Sequence, residues 1–383
     1  MSRNYCLPLL ICLIFISTAT FAQLITLPPS GDNQKSEVTQ YLGSLAKVTI
    51  NYSSPDVTSP SGDDRTGQIW GQVVPYGLNN LGFGTATEAP WRAGANENTT
   101  ITFSHDMLVE GKPIEAGTYG LHMIVKESEP WTLILSKNTS AWGSYFYDEK
   151  DDALRAEVQP EEGEFHEWLT YEFTERQPDR ATAALMWENK KVPFTIAVPD
   201  ITALYLDNMQ QELQSTAGFS WQGWNQAANF ALQNDTLLDQ ALTWAENAVS
   251  MPFIGQENFN TLQTKGQILD RLNRTEEAET TLLQAVNHPT AGPGQIHSYG
   301  RQLLNQGEQD KALEVFRLNA EKHPDTWPVN VGLARGYSAV GEYKKALKYA
   351  KMAHEKAPDS LNKDNLQAAI EVLEQGKDFN QSN

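Results

Sequence analysis

From about residue 37 to residue 199, apolar and polar residues exchange places over short runs. Residues Leu45 to Tyr52 alternate in part, and Asn98 to Phe103 alternate more clearly. Thr118 to Val125, Trp131 to Leu135, Trp168 to Phe173, Ala181 to Trp187 and Val192 to Val198 are short and rich in β-branched or aromatic residues. A period of two belongs to a strand with one buried face. Turn signals separate the runs at Glu110-Gly111-Lys112-Pro113, Ala116-Gly117, Ser128-Glu129-Pro130 and Glu188-Asn189-Lys190. Many short strands with such punctuation predict an all-β sandwich or barrel-like domain over 37–199. Six of the ten tryptophans fall in it: Trp70, Trp91, Trp131, Trp142, Trp168 and Trp187.

The period changes after Val198-Pro199-Asp200. Ile201, Leu204, Asn208 and Gln211 to Leu213 have helical spacing, with Asp200 as a suitable N-cap, which predicts a connecting helix over 200–217. Beyond it the chain matches itself at an offset of 34 residues. Gly266, Gly300 and Ala334 coincide, as do Leu269, Leu303 and Tyr337. So do Ala278, Ala312 and Ala346, and Leu282, Phe316 and Ala350. Pro289 lies near the register of Pro324 and Pro358, and an earlier unit fits through Trp224, Ala228, Ala231, Ala241, Ala245 and Ala248. Small residues in mid-helix let two helices approach closely, and the larger columns fill the contact with the next unit. This pattern resembles the tetratricopeptide repeat. The expected architecture is multidomain: the all-β domain, then an all-α tetratricopeptide-type superhelix of about four repeats over 218–360. A capping helix and tail over 361–383 close it.

The first 22 residues have the three parts of a secretory signal: Arg3, an apolar run from Leu7 to Ile16, and Thr20-Phe21-Ala22 before Gln23. A Pro- and Ser-containing linker is expected over 23–36. Both cysteines, Cys6 and Cys12, lie inside the signal, so the mature chain is expected to carry no disulfide and no thiolate. The reading is export, to the periplasm first, with the outer surface or secretion as alternatives.

Lys and Arg number 29 against 48 Asp and Glu, a net charge of 29 − 48 = −19. Such a chain repels phosphate, which argues against nucleic acid. Against that background, cationic positions in the repeats stand out. Gln263, Gln267 and Arg271 are spaced four apart; His297, Arg301 and Asn305 follow one repeat later; and Arg335 lies in the column of Arg301. In a tetratricopeptide repeat the first helix of each unit lines the concave face. These residues are therefore the expected contacts for a protein or peptide partner.

Three stretches of the β region carry a second resemblance: Ile69-Trp70-Gly71-Gln72-Val73-Val74-Pro75-Tyr76-Gly77, Trp91-Arg92-Ala93-Gly94-Ala95-Asn96-Glu97-Asn98, and Gly111-Lys112-Pro113 leading to Ala116-Gly117-Thr118-Tyr119. Trp142-Gly143-Ser144-Tyr145, Tyr147-Asp148, Asp152 to Arg155 and Trp187-Glu188 add to it. Together they resemble the family catalogued as domain of unknown function 2911, found mainly in exported proteins of Bacteroidetes-type bacteria. The resemblance implies no catalytic residues.

The residues themselves point to no reaction. His105, His122 and His166 lack metal-ligand spacing, and no Gly-x-Ser-x-Gly elbow or phosphate loop is present. No metal or cofactor is expected. Glu97, Asp148, Asp152 and Glu188 lie near aromatic residues, as a glycosidase pair would. Arg92 and Arg155 are the natural ion partners of Glu97 and Asp148. The acidic runs 148–152 and 161–164 read as solvated loops. A ligand site in the β domain would use Trp91, Arg92, Asn96, Glu97 and His122. The leading function is therefore an exported, non-catalytic interaction or scaffold protein of the bacterial envelope. The alternative is an envelope hydrolase or carbohydrate-binding protein with its site in the β domain.

Overall fold

A computed structural model describes residues 33–381. The signal segment 1–22 and the linker up to residue 32 lie outside the described residues. The chain divides into two compact units, with the boundary between Ile201 and Thr202.

The first unit holds two antiparallel sheets. The strands are β1 (Gln34–Leu42), β2 (Ala46–Ser54), β3 (Thr100–Phe103), β4 (Met107–Val109), β5 (Lys112–Ile114), β6 (Gly117–Ile124), β7 (Trp131–Ser136), β8 (Asp152–Val158), β9 (Glu161–Arg176) and β10 (Arg180–Ala197). One sheet has the order β1-β2-β3-β6-β7-β8, the other β5-β4-β10-β9. In β2 the alternating residues Val48 and Ile50 are fully buried. They share the core with Leu121, Leu133, Tyr171, Leu185 and Phe194. The two sheets are tied directly: the Tyr52 and Tyr171 rings lie 4.9 Å apart, and Ser54 Oγ donates to the Leu169 carbonyl at 2.6 Å.

Two local details depart from the sequence expectation. Residues 188–190, which carry a turn signal, do not end a strand; β10 runs through them. Glu188 adopts φ 51°, and the register with β9 shifts on both sides of it, so the signal marks a bulge rather than a turn. The acidic run 161–164 is no loop. It starts β9, opposite Lys190 and Lys191, and Lys190 pairs with Glu162. Cross-strand charge pairing keeps this end extended.

The second unit is all helix: α1 (Ile201–Glu212), α2 (Trp221–Gln233), α3 (Leu238–Ser250), α4 (Phe259–Arg271), α5 (Thr275–Asn287), α6 (Pro293–Asn305), α7 (Gln309–Lys322), α8 (Trp327–Ala339), α9 (Tyr343–Glu355) and α10 (Ser360–Glu374). The starts follow local chemistry. Asn258 and Thr261 form a capping box at α4, Pro293 opens α6, and Asp359 accepts from the Asn362 amide at 2.8 Å at α10. Helices pair as α2–α3, α4–α5, α6–α7 and α8–α9.

The 34-residue columns become contacts. A Cβ at Gly266 would lie 2.6 Å from Leu282, and one at Gly300 would collide with the Phe316 ring. The third member of each column, Ala334 and Ala350, is fully buried, as are Ala312 and Ala346. The absent side chain on the first helix is thus the space filled by the large residue on the second.

Candidate functional sites

In the β unit, Trp91 exchanges two backbone hydrogen bonds with Met123 on β6, at 2.9 and 2.8 Å, continuing the line of β3. Residues 92–98 then loop out, with Ala93 at φ 48° and Asn96 at φ 57°. Two non-glycine residues in the left-handed region within four positions mark stored strain. This loop, the 73–81 segment, the 142–145 segment and Trp187 of β10 enclose a cavity of about 400 Å³. Of the five residues expected for a site here, Trp91, Arg92 and Asn96 line it.

Glu97 does not. Its carboxylate pairs with Lys35 at 2.8 Å and accepts from Ser53 Oγ at 3.3 Å, and the Lys35 contact holds its pKa below the usual value. His122 lies behind the wall, 2% exposed, with Nδ1 3.0 Å from the Oγ of the cavity residue Ser144. Burial, and then the charge of Arg92, push its pKa down to about 4, so the ring is neutral and positions Ser144. The expected ion pairs are also different. Arg92 donates to the Asn96 carbonyl and lies over the Tyr145 ring, 5.4 Å from its centroid. Arg155 pairs with Asp152 at 2.6 Å and Glu149 at 3.2 Å, while Asp148 caps the turn at Lys150. Arg92 and Arg155 are taken by groups close to them in sequence, while Glu97 is taken by Lys35 of β1.

Four tryptophans meet here without any local sequence pattern that signals it. Trp70 contacts Trp91, Trp131 and Trp187 at centroid distances of 5.7, 5.0 and 5.8 Å, and Trp91 stacks on Trp187. Trp187 is 1% exposed, yet its indole nitrogen has no partner among the described residues.

In the helical unit, α6, α8 and α10 enclose a second cavity, of about 310 Å³. His297, Arg301 and Arg335 line it together, with Trp327, Asn362 and Phe379. Arg335 lies over the Phe379 ring, 5.4 Å from its centroid, and donates to Asn380 Oδ1 at 3.2 Å. Among the described residues its buried Nε has no partner, and neither do His297 Nδ1 and Trp327 Nε1. No carboxylate of the described residues pairs with Arg301. Burial and the neighbouring Arg301 lower the Arg335 pKa against the pull of Asp378, and burial with both arginines brings His297 to about 4. The other expected contacts lie elsewhere. Gln263 and Gln267 are half-buried on α4, Asn305 is exposed at the end of α6, and Arg271 is bound to Asp235 at 2.6 Å.

A larger cavity of about 580 Å³ lies among α5, α6 and α7. Its lysine, Lys311, is already paired with Glu279 at 2.6 Å. Unsatisfied donors, rather than size, therefore single out the α6–α8–α10 cavity.

None of the curated proteins compared with the chain matches it. Among solved structures, the chain is similar to YrrB, described as a tetratricopeptide protein with an unusual peptide-binding site, at 20% identity and TM-score 0.31, covering 44% of this chain and 84% of that one. It is also similar to pilF of Pseudomonas aeruginosa, at 18% identity and TM-score 0.33, covering 47% and 80%. A third is the C-terminal part of a tetratricopeptide repeat-containing protein from Cytophaga hutchinsonii, at 17% identity and TM-score 0.36, covering 45% and 67%. Residues 33–196 match the model of the family described as protein of unknown function (DUF2911). Over residues 33–196 the chain is thus similar to that family, and the paired helices that follow carry 34-residue columns like those of tetratricopeptide repeats.

Proposed function

We propose that the protein is an exported interaction or scaffold protein of the bacterial envelope. It holds an acidic segment of a partner protein on the first-helix face of its repeats. The single observation that supports this is the α6–α8–α10 cavity, where Arg301 and Arg335 stand together with no paired carboxylate facing Arg301 and an unsatisfied Arg335 Nε. Two guanidiniums this close raise each other's energy. An incoming carboxylate relieves that repulsion. Export and an envelope location rest on the signal pattern of residues 1–22, with Gln23 as the first mature residue.

The test is fluorescence anisotropy of labelled acidic, neutral and basic peptides of equal length with the mature chain. Acidic peptides should bind, and Arg301→Ala with Arg335→Ala should weaken them by roughly tenfold or more. Equal binding of all three peptides, or no effect of the double variant, removes the reading. Cell fractionation with mass spectrometry should find the protein in the envelope fraction with Gln23 at its N-terminus; protein confined to the cytoplasmic fraction with Met1 intact removes the export reading.

A further inference from the structure

The β-domain cavity supports a separate assignment. We propose that it is a binding site for a small carboxylate whose body is an aromatic or aliphatic ring, with Arg92 as the anion partner. This is independent of partner binding by the repeats.

The cavity, about 400 Å³, has the size of a small-molecule site. Its walls mix the planar rings of Trp91, Trp142 and Tyr145 with the polar side chains of Asn79, Asn96 and Ser144. Trp142 is 52% exposed, a large apolar surface left at the rim. One cation serves this space. The Arg92 guanidinium is wedged between the Tyr145 ring and the backbone of Gly143, where any Cβ would collide with it. Its orientation is therefore set before a ligand arrives. Its protein acceptor is the neutral carbonyl of Asn96, and no carboxylate of the described residues forms an ion pair with it. A half-buried guanidinium without a counter-charge, in a chain of net charge −19, is a cost that an anionic ligand removes.

The same lining argues against a sugar. Each hydroxyl of a sugar needs an acceptor for its hydrogen, and sugar sites commonly supply carboxylates. No Asp or Glu lines this cavity. A ring with one carboxylate asks for aromatic contact and a cation, which Trp91, Trp142 and Arg92 offer.

The experiment titrates the mature protein with benzoate, benzyl alcohol, acetate and glucuronate. Tryptophan emission is the readout, because Trp91 and Trp187 belong to both the cluster and the wall, and calorimetry serves as a second measure. Benzoate should bind saturably. Benzyl alcohol, lacking charge, and acetate, lacking the ring, should each bind at least roughly tenfold more weakly. Arg92→Gln should abolish the preference for benzoate over benzyl alcohol, and Trp142→Ala should weaken benzoate. If Arg92→Gln does not fold, Arg92→Lys, which keeps the charge but not the planar fork, takes its place and should still lower benzoate affinity. Equal binding of benzoate and benzyl alcohol overturns the proposal. So does binding of glucuronate above benzoate, or saturable benzoate binding that survives in every folded variant.

Discussion

His122 sits where a charge cannot be held. It is 2% exposed, hydrogen-bonded to Ser144 and within reach of the Arg92 charge, and its pKa falls to about 4. In the unfolded chain an imidazole titrates near 6.5. Lowering the pH through that value protonates the unfolded chain first. The stabilisation from the neutral ring is therefore complete above about pH 6.5, declines between about 6.5 and 4, and is constant below. The drop from near 6.5 to about 4 corresponds to about 3 kcal/mol. Chemical denaturation at pH 7 and pH 4.5 should show a loss in the wild-type β domain larger by about 2 kcal/mol than in His122→Gln. Parallel losses in the two proteins would contradict the burial of a neutral ring. At this scale the sequence was least informative. It named Trp91, Arg92 and Asn96, because an Arg and amides beside aromatics stand out. It misplaced Glu97, since Lys35 reaches it from a strand far away in sequence.

Among elements, the helix pairs were legible because their constraint repeats. A column of Gly and Ala at 34-residue spacing has one economical meaning, and Gly300 under Phe316 is its physical form. Gly300→Ala should overpack that contact and cost about 1–3 kcal/mol. Gly294, on the same helix α6, has open space around it. Gly294→Ala should stabilise by about 0.5–1 kcal/mol through helix propensity. Urea unfolding of both variants checks the register, and shifts of the same sign would refute it. Strands were harder to bound. The bulge at Glu188 used a turn residue pattern without a turn, and the start of β9 hid in a charged run because its stabilising lysines lie on β10. Both depend on cross-strand neighbours that a local pattern does not contain.

For the whole molecule, the switch of period near residue 200 and the division at Ile201 and Thr202 describe the same chain from two sides. Separate expression of 33–200 and 201–383 should give a strand-rich and a helix-rich circular dichroism spectrum, each with its own cooperative melt. Loss of helix content from the second fragment would show that the array needs the β domain. Inside the array, one hydrophobic cluster runs from α4 to α10 and another from α1 to α5. Leu262 and Leu282 belong to the first, while Ile268, Leu269 and Ala278 belong to the second. The α4–α5 pair is therefore the clasp of a zip that opens from either end. Fraying started at α1 or at α10 stops there, so the slowest amide exchange in the unit belongs in the middle of the array.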